Sequence, residues 1–429
     1  MNQLNIRYSS PPERIRGQFA PFQQSRTNSG YAANRQYTNR VQFHPQNYMR
    51  NWVSNSLQYS PPNKTGTNWY PNRVFLPNGR HRQRNDYQQQ IGNQYWRPKQ
   101  RVENHGANSD LSMEIMSLFN EKKQTQEIFE RKSELRGLIQ NELLLFFDED
   151  VELKVVGSSV NGLGTIYSEL DVCVVFRNPF ISAVDALQSI KSILEKKEFV
   201  KNKRVIWAKV PIFKFIDSVS GIVVNINVNN ATCIKNTQLI HQYTRMDERV
   251  APLTVIVKLW ARQNGINDAS NKTMNGYTLT LLVIHFLQSR CTPAVLPSLV
   301  ELFGTDTDIN GRRRQITAFE RVYNFKSLNC ECLGDLFLKF LLYYSHEFTY
   351  RVNVVSVRTG SAIAKSKVNE SSNNKFESTQ WKFIGVEEPY DRTNTARSVS
   401  DKSAYDQIMD VFRRSYRTLH ETRCLFSII

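Results

Sequence analysis

Acidic residues are nearly absent from the first hundred residues of this 429-residue sequence, which contain only Glu13 and Asp86. The same segment has 14 Lys and Arg and 28 Asn and Gln, so it supplies +12 of the formal net charge of +17. Its aromatic residues follow neither a helical nor a strand period. A segment this poor in apolar residues cannot bury a hydrophobic core. We therefore predict a disordered, basic, Asn/Gln/Arg-rich tail over residues 1–105.

Arginine interleaved with Tyr and Trp in this tail suits RNA, because the cations meet phosphates and the rings stack on bases. The same composition suits self-association, and it also fits a tether that only keeps the chain soluble. If the tail binds RNA, deleting residues 1–105 should weaken RNA binding in a salt-sensitive and sequence-independent way.

Cysteine is scarce as well, with six residues, and long apolar runs are missing. Cys330 and Cys332 lack the two-residue spacing of a zinc knuckle, so we predict free thiols in a reducing compartment. The most apolar run, Tyr277 to Leu287, is too short to span a bilayer. We expect a cytoplasmic or nuclear protein with no membrane partner. Basic clusters at residues 80–84 and 312–314 fit either import signals or a solvated basic face.

Apolar residues recur at helical spacing from about residue 108, which marks the start of folded structure. We divide the rest of the chain into helices over 106–150, a small α/β domain over 151–249 and a mostly helical domain over 250–429. The β-rich runs include Arg204–Phe215 in the α/β part and Trp381–Val386 near the end of the chain.

Two short motifs carry the predicted chemistry. Glu169 and Asp171 are separated by one residue, so on a strand their carboxylates lie on the same face. Such a pair suits Mg²⁺ or Mn²⁺, and two bridged ions orient a triphosphate for in-line displacement. Upstream, Gly157, Ser158 and Ser159 fit a phosphate-holding helix N-terminus. Taken alone, the acidic pair is also typical of a solvent-exposed strand face. The Gly-Ser-Ser sequence alone is also typical of an ordinary turn.

At this spacing the two motifs together resemble the DNA polymerase β-like nucleotidyltransferases. Within them the chain resembles the cytoplasmic poly(A) polymerases and terminal uridylyltransferases, and most of all the germ-line type of cytoplasmic poly(A) polymerase. The resemblance runs from about residue 110 to the C-terminus and includes Lys258–Arg262, Asn275–Tyr277 and Glu387–Arg397. It implies an α/β catalytic domain packed on a mostly helical poly(A) polymerase-associated central domain, with the nucleotide in the cleft between them.

The resemblance also implies a nucleotide site drawn from several segments, in which each group of residues meets one part of the nucleotide. These are Gly157, Ser158 and Ser159 for the triphosphate, Asn236 and Thr237 for the ribose, Lys258 and Arg262 for the phosphates, Gly276 and Tyr277 beside the phosphates and base, and Glu388, Asn394 and Arg397 in the nucleotide-recognition segment. Family members usually have lysine at position 262 and serine at position 276. Asp391–Asn394 contains no histidine, which by resemblance favours ATP over UTP.

The third carboxylate of the family pattern is missing, because Asn225 stands where an aspartate is expected. That acid ordinarily helps bind a metal ion and takes the proton from the RNA 3′-hydroxyl, and loss of a general base costs roughly 10²–10⁴ in rate. Glu169 keeps its charge but is a methylene longer, and Mg²⁺ demands near-ideal octahedral geometry. Asp217 lies close in sequence, but its surroundings are typical of a turn, where aspartate is ordinary.

The predicted catalytic positions are Glu169, Asp171 and the altered Asn225. The two acids are also the predicted metal ligands. Two hypotheses follow for the function of the chain. The first is a poly(A) RNA polymerase-like protein that adds adenosines from ATP to RNA 3′ ends with Mg²⁺ or Mn²⁺, its activity weakened or absent. The alternative is an inactive scaffold that binds RNA and partner proteins, or a terminal uridylyltransferase. By resemblance, RNA-binding adaptor proteins direct the chain to its messages.

Overall fold

The computed structural model describes residues 105–147, 151–178, 181–303, 325–370 and 379–429. All of them belong to one unit of the chain, residues 78–429. The predicted tail, apart from His105, and the basic clusters at 80–84 and 312–314 lie outside the described residues. No helix in the described part of the chain is both long enough and apolar enough to cross a membrane.

The first half of the described chain is built on a five-stranded mixed sheet with strand order β1-β2-β5-β4-β3. In chain order the elements are α1 (His105–Lys122), α2 (Gln126–Phe147), β1 (Val151–Val156), β2 (Leu170–Phe176), α3 (Ala183–Leu194), β3 (Val200–Ile206), β4 (Ile212–Asp217), β5 (Val223–Val228) and α4 (Ala231–Met246). Strands β2 and β5 pair in parallel, whereas β1 pairs antiparallel to β2 and β4 antiparallel to both β5 and β3.

The second half is mostly helical and carries a small three-stranded sheet with strand order β7-β6-β8. Its elements are α5 (Val250–Gln263), α6 (Gly276–Ser289), α7 (Leu299–Phe303), α8 (Leu333–Leu342), β6 (Asn353–Ser356), β7 (Ser361–Ala364), α9 (Lys365–Glu370), β8 (Val386–Glu387) and α10 (Lys402–Thr422). Several helices begin at an Asn, Ser or Asp whose side chain accepts a hydrogen bond from the first turn, as Asn230 does before α4 and Asn275 before α6.

The described residues form two main hydrophobic cores, one for each half. Leu135, Ile139 and Leu143 of α2 pack with the five-stranded sheet and α3. Leu111 and Ile115 of α1 instead pack with the helical half, although α1 and α2 are consecutive in sequence. Helices α1 and α2 each bury their apolar stripe in a different core. The chain therefore passes from the helical half to the α/β half between α1 and α2.

The structure corrects two of the predicted strands. The run Arg204–Phe215 forms two antiparallel strands, β3 and β4, joined at residues 207–211. The run Trp381–Val386 contributes only Val386 to β8, and Trp381 ends a 3₁₀ turn. The six cysteines are free thiols, as predicted.

Candidate active site

The acidic pair lies where β2 begins, next to the centre of the five-stranded sheet. Asp171 is in β2 and is paired in register with Asn225 of β5, which is paired in turn with Lys214 of β4. Residues in register on adjacent strands have side chains on the same face. Glu169 precedes β2 by one residue and, as the spacing predicts, its carboxylate lies beside that of Asp171.

Asn225 connects the two carboxylates directly. Its Nδ2 donates to Glu169 Oε2 at 2.5 Å and to Asp171 Oδ1 at 2.8 Å. The second oxygen of Glu169, Oε1, accepts from Lys214 Nζ at 2.8 Å. The position expected to supply a third carboxylate therefore supplies a hydrogen-bond donor instead.

A buried lysine lies behind the acidic pair. Lys132 of α2 is 2% exposed, and its Nζ donates to Gln124 Oε1 at 2.8 Å and to Ser159 Oγ at 2.9 Å. Burial lowers the pKa of Lys132 to about 8, against the opposing effect of the Asp171 charge. Burial raises the pKa of Asp171, while the hydrogen bond from Asn225 opposes that rise. In the part of the chain that the structure describes, Lys132 donates to uncharged oxygens and Asp171 accepts from an amide, so burial is the largest cause of both pKa shifts.

The Gly157–Ser159 segment forms a short 3₁₀ turn after β1. Gly157 has φ +71°, and a Cβ at this position would lie 2.7 Å from Asp171 Oδ2, so glycine is required on both counts. The Ser159 hydroxyl is buried and donates to the Glu169 carbonyl at 3.0 Å. Ser158, half-buried on the same turn, is the other predicted phosphate ligand.

The two residues predicted for the ribose lie on α4 and behave differently. Thr237 is buried, and its hydroxyl donates to the Cys233 carbonyl at 2.7 Å and accepts from the Gly157 N–H at 2.9 Å. The Asn236 side chain hydrogen-bonds the Glu388 carboxylate. Its buried Oδ1 has no hydrogen-bond partner among the described residues. Thr237 thus fixes the turn, and Asn236 retains an open acceptor.

The two cations on α5 also differ. Lys258 is partly buried, and burial lowers its pKa while the negative charge of Asp171 opposes the shift. Arg262, one turn later, is exposed. Gly276 begins α6 directly against Lys258, since a Cβ there would lie 3.2 Å from Lys258 Cε. Glycine at this position leaves room for the lysine side chain.

Glu388 connects Tyr277 with the segment predicted to recognise the nucleotide. Its Oε2 accepts from the backbone N–H groups of Tyr390 and Asp391 at 2.7 and 2.5 Å, and its Oε1 accepts from the Tyr277 hydroxyl at 3.3 Å. Burial raises the pKa of Glu388. The same segment is tied to the sheet by an ion pair between Lys209 Nζ and Asp391 Oδ2 at 3.1 Å. The recognition segment therefore lies between the two halves.

Asn394 is fully buried and makes four hydrogen bonds to the protein. Its Nδ2 donates to the carbonyls of Gln380 and Ile384, and its Oδ1 accepts from the N–H groups of Val386 and Ala396. This side chain shapes the recognition segment from inside. Arg397 is exposed, and its Nη1 donates to the Asn394 carbonyl at 3.2 Å.

Known proteins match most of the described chain. Residues 111–245 match the family described as poly(A) RNA polymerase, mitochondrial-like, central palm domain, and residues 332–394 match the Cid1 family poly A polymerase. Poly(A) RNA polymerase GLD2 of Mus musculus is 36% identical over 334 residues, covering 75% of this chain and 67% of that protein. The solved GLD-2/RNP-8 complex aligns with a TM-score of 0.63 at 32% identity, covering 75% of this chain and 98% of that one. The chain belongs to the Cid1-type poly(A) polymerase family.

Membership in this family confirms the predicted fold, an α/β nucleotidyltransferase domain with a mostly helical poly(A) polymerase-associated domain. A Cid1 poly(U) polymerase with magnesium and 3′-dATP shares that fold, with a TM-score of 0.64 at 23% identity. Poly(A) RNA polymerase GLD2 of Xenopus tropicalis is 36% identical over 329 residues, but the alignment covers only 60% of that relative. Nucleotidyltransferases with this fold generally use divalent metal ions.

The acidic centre of this family member does not fit a pair of divalent ions. A cation needs carboxylate oxygens directed at it, but here three of the four oxygens of Glu169 and Asp171 accept hydrogen bonds from Asn225 and Lys214. Among the residues that the structure describes, no three His, Cys, Asp or Glu side chains are grouped as a metal site. Asp217 does not complete the set, since its Oδ2 accepts from the N–H and hydroxyl of Ser220 in the turn.

Sequence reasoning missed two lysines of the site. Lys214 lies between Phe213 and Phe215, both buried, and this alternation alone places it on the other face of β4. Lys132 is spaced with Leu135 on the apolar stripe of α2, a position where lysine is unusual. Both signals were present in the sequence.

Proposed function

We propose that this chain binds ATP and an RNA 3′ end in the cleft between its two halves, and that adenylyl transfer there is strongly weakened or lost. The observation behind the proposed loss of activity is that the Asn225 amide donates hydrogen bonds to both carboxylates. An amide cannot accept the 3′-hydroxyl proton, and the lost general base alone accounts for roughly 10²–10⁴ in rate.

Nucleotide binding is supported by groups that remain available in the cleft. The buried Oδ1 of Asn236 has no partner among the described residues, and a buried acceptor of this kind is costly unless a ligand or water donates to it. A ribose hydroxyl is such a donor. Lys258 supplies positive charge for the phosphates, and Tyr277 supplies a ring for the base. In this proposal Thr237 and Asn394 also position the site through their hydrogen bonds to the protein.

ATP is proposed as the preferred nucleotide. The relatives that are 36% identical are named poly(A) RNA polymerases, and the Cid1 poly(U) polymerase is only 23% identical. The segment Asp391–Asn394 contains no histidine. Selective use of UTP, when each of the four nucleotides is offered with one RNA primer, would instead establish uridylyl transfer.

An RNA path is supported by a row of residues across the sheet. Arg204 of the edge strand β3 is paired in register with Lys214, which is paired with Asn225. Adjacent strands are about 4.8 Å apart, so two basic side chains lie between the sheet edge and the acidic pair. Trp207, 60% exposed, follows β3 directly and offers a stacking surface.

A protein partner is also proposed. The related GLD-2 was solved in complex with RNP-8, and we propose that an RNA-binding adaptor likewise directs this chain to its RNA, in the cytoplasm or the nucleus.

A primer-extension assay tests the proposal. Purified full-length protein is incubated with labelled oligo(A) RNA, ATP and Mg²⁺ or Mn²⁺, beside the Asn225→Asp variant and an Asn225→Asp/Asp171→Asn double variant. We expect little extension by the unmodified chain, extension by the single variant and none by the double variant. Efficient extension by the unmodified chain contradicts the proposal, because it would show that Glu169 and Asp171 suffice.

A further inference from the structure

Three of the four oxygens of the acidic pair accept hydrogen bonds from the protein itself, and the fourth faces Gly157. Glu169 Oε1 accepts from Lys214 at 2.8 Å, Glu169 Oε2 from Asn225 at 2.5 Å and Asp171 Oδ1 from Asn225 at 2.8 Å. The fourth oxygen, Asp171 Oδ2, lies against Gly157, where even a Cβ would be 2.7 Å away. The hydrogen-bond donors to the pair therefore belong to the chain itself.

The charge of the pair is balanced internally as well. Lys214 forms an ion pair with Glu169 in which the two side chains are 23% and 40% exposed. Lys132 and Lys258 lie near enough that the charge of Asp171 opposes the lowering of their pKa values. The two carboxylates thus contact one ammonium group and one amide, and Asp171 interacts electrostatically with Lys132 and Lys258, so that no divalent ion is needed to bring a triphosphate close.

We propose that Asn225 and Lys214 replace the divalent cations of this centre, so that the chain binds ATP without a divalent ion. This rests on the proposed nucleotide binding. Changing Asn225 to aspartate places a third carboxylate within hydrogen-bond distance of two others, and like charges at that separation repel strongly. The single substitution therefore converts a cation-independent site into one that requires a cation.

Nucleotide binding with and without a divalent ion tests the idea. ATP affinity of the full chain is measured by calorimetry in EDTA and in Mg²⁺ at equal ionic strength, for the unmodified chain and for Asn225→Asp. We expect the unmodified chain to bind with a Kd that changes by less than about threefold, and the variant to bind at least about tenfold more weakly in EDTA than in Mg²⁺. Asn202→Asp is the matched control, since it adds the same charge on the exposed edge strand of the same sheet.

Thermal unfolding without nucleotide provides a second and independent measurement. We expect Mg²⁺ and Mn²⁺ to leave the Tm of the unmodified chain and of Asn202→Asp unchanged, and to raise that of Asn225→Asp, because a ligand of the folded state stabilises it. A cation-induced rise of equal size in the unmodified chain overturns the inference. The inference is also overturned if the unmodified chain binds ATP in Mg²⁺ but not in EDTA, although that result leaves the proposed function intact. Absence of ATP binding in both buffers refutes the proposed function as well.

Discussion

Replacing Lys132 with methionine should remove a pH-dependent contribution to stability. The lysine is 2% exposed and its nearest partners, Gln124 and Ser159, are uncharged. Burial lowers its pKa from 10.5 to about 8. Methionine has a similar length and no charge, so Lys132→Met eliminates the titration with little change in volume.

The magnitude follows from the difference between the two pKa values of Lys132. One pKa unit corresponds to about 1.4 kcal/mol, so the change from 10.5 to about 8 corresponds to about 3 kcal/mol. Because the folded pKa lies below the unfolded one, the unfolded chain holds the proton between these values. The free energy of unfolding therefore rises with pH across that window, and the full cost of the buried charge is present below about pH 8.

Urea unfolding of the unmodified chain and of Lys132→Met, at about pH 7 and about pH 10.5, measures the effect. We expect the stability of the unmodified chain, relative to the variant, to increase by about 3 kcal/mol between the two pH values. Groups whose titration does not depend on the Lys132 charge behave equally in both proteins and cancel. Lys196→Met, at an exposed lysine, is the control and should show no such difference. Parallel pH profiles for the unmodified chain and Lys132→Met would refute the reasoning, because Lys132 would then titrate as it does in the unfolded chain.

Other substitutions separate the parts of the site. Gly157→Ala should destabilise the fold by about 1–3 kcal/mol in thermal unfolding, because it strains a residue at φ +71° and presses on Asp171; an unchanged Tm contradicts this. Asn394→Ala removes four buried hydrogen bonds and should cost about 3 kcal/mol or more in urea unfolding; a loss below about 0.5 kcal/mol would show that the network contributes little. Trp207→Ala should weaken RNA binding, measured by fluorescence anisotropy, by about 1–3 kcal/mol while ATP affinity stays the same; equal RNA affinity removes Trp207 from the path.

The acidic centre could be predicted from the sequence because its geometry is local. The spacing of Glu169 and Asp171 places both carboxylates together, and the alternation in β5 places Asn225 on the face that an aspartate there would occupy. The family and fold followed from motifs of the same kind. The prediction of one strand over Arg204–Phe215 was wrong. Pro211 is a signal against a continuous strand, and the pairing of β3 with β4 shows that the chain turns back at residues 207–211.

The direction of individual hydroxyl groups could not be predicted. Ser159 and Thr237 match positions expected to meet nucleotide, but each hydroxyl bonds to backbone of another segment, the Glu169 carbonyl and the Gly157 N–H. Such bonds depend on which segments the tertiary fold brings together. Spacing along one strand or helix does not determine them. Assignments of these residues to phosphate and ribose therefore remain predictions.

We propose that asparagine at position 225, where the resemblance predicts an aspartate, leaves the scaffold of the site unaltered. The amide has nearly the shape of a carboxylate, and Asn225 keeps its backbone pairing with Asp171 and Lys214 on both sides. The predicted nucleotide-recognition segment is held by hydrogen bonds that do not involve the acidic pair or Asn225. Asn275, for example, caps α6 and donates to the Thr395 carbonyl at 3.0 Å. In this proposal asparagine and aspartate at position 225 differ in charge and proton acceptance and share the same geometry. Recovery of primer extension by Asn225→Asp would follow from that alone, whereas failure to recover would identify the longer side chain of Glu169 as a second, geometric block.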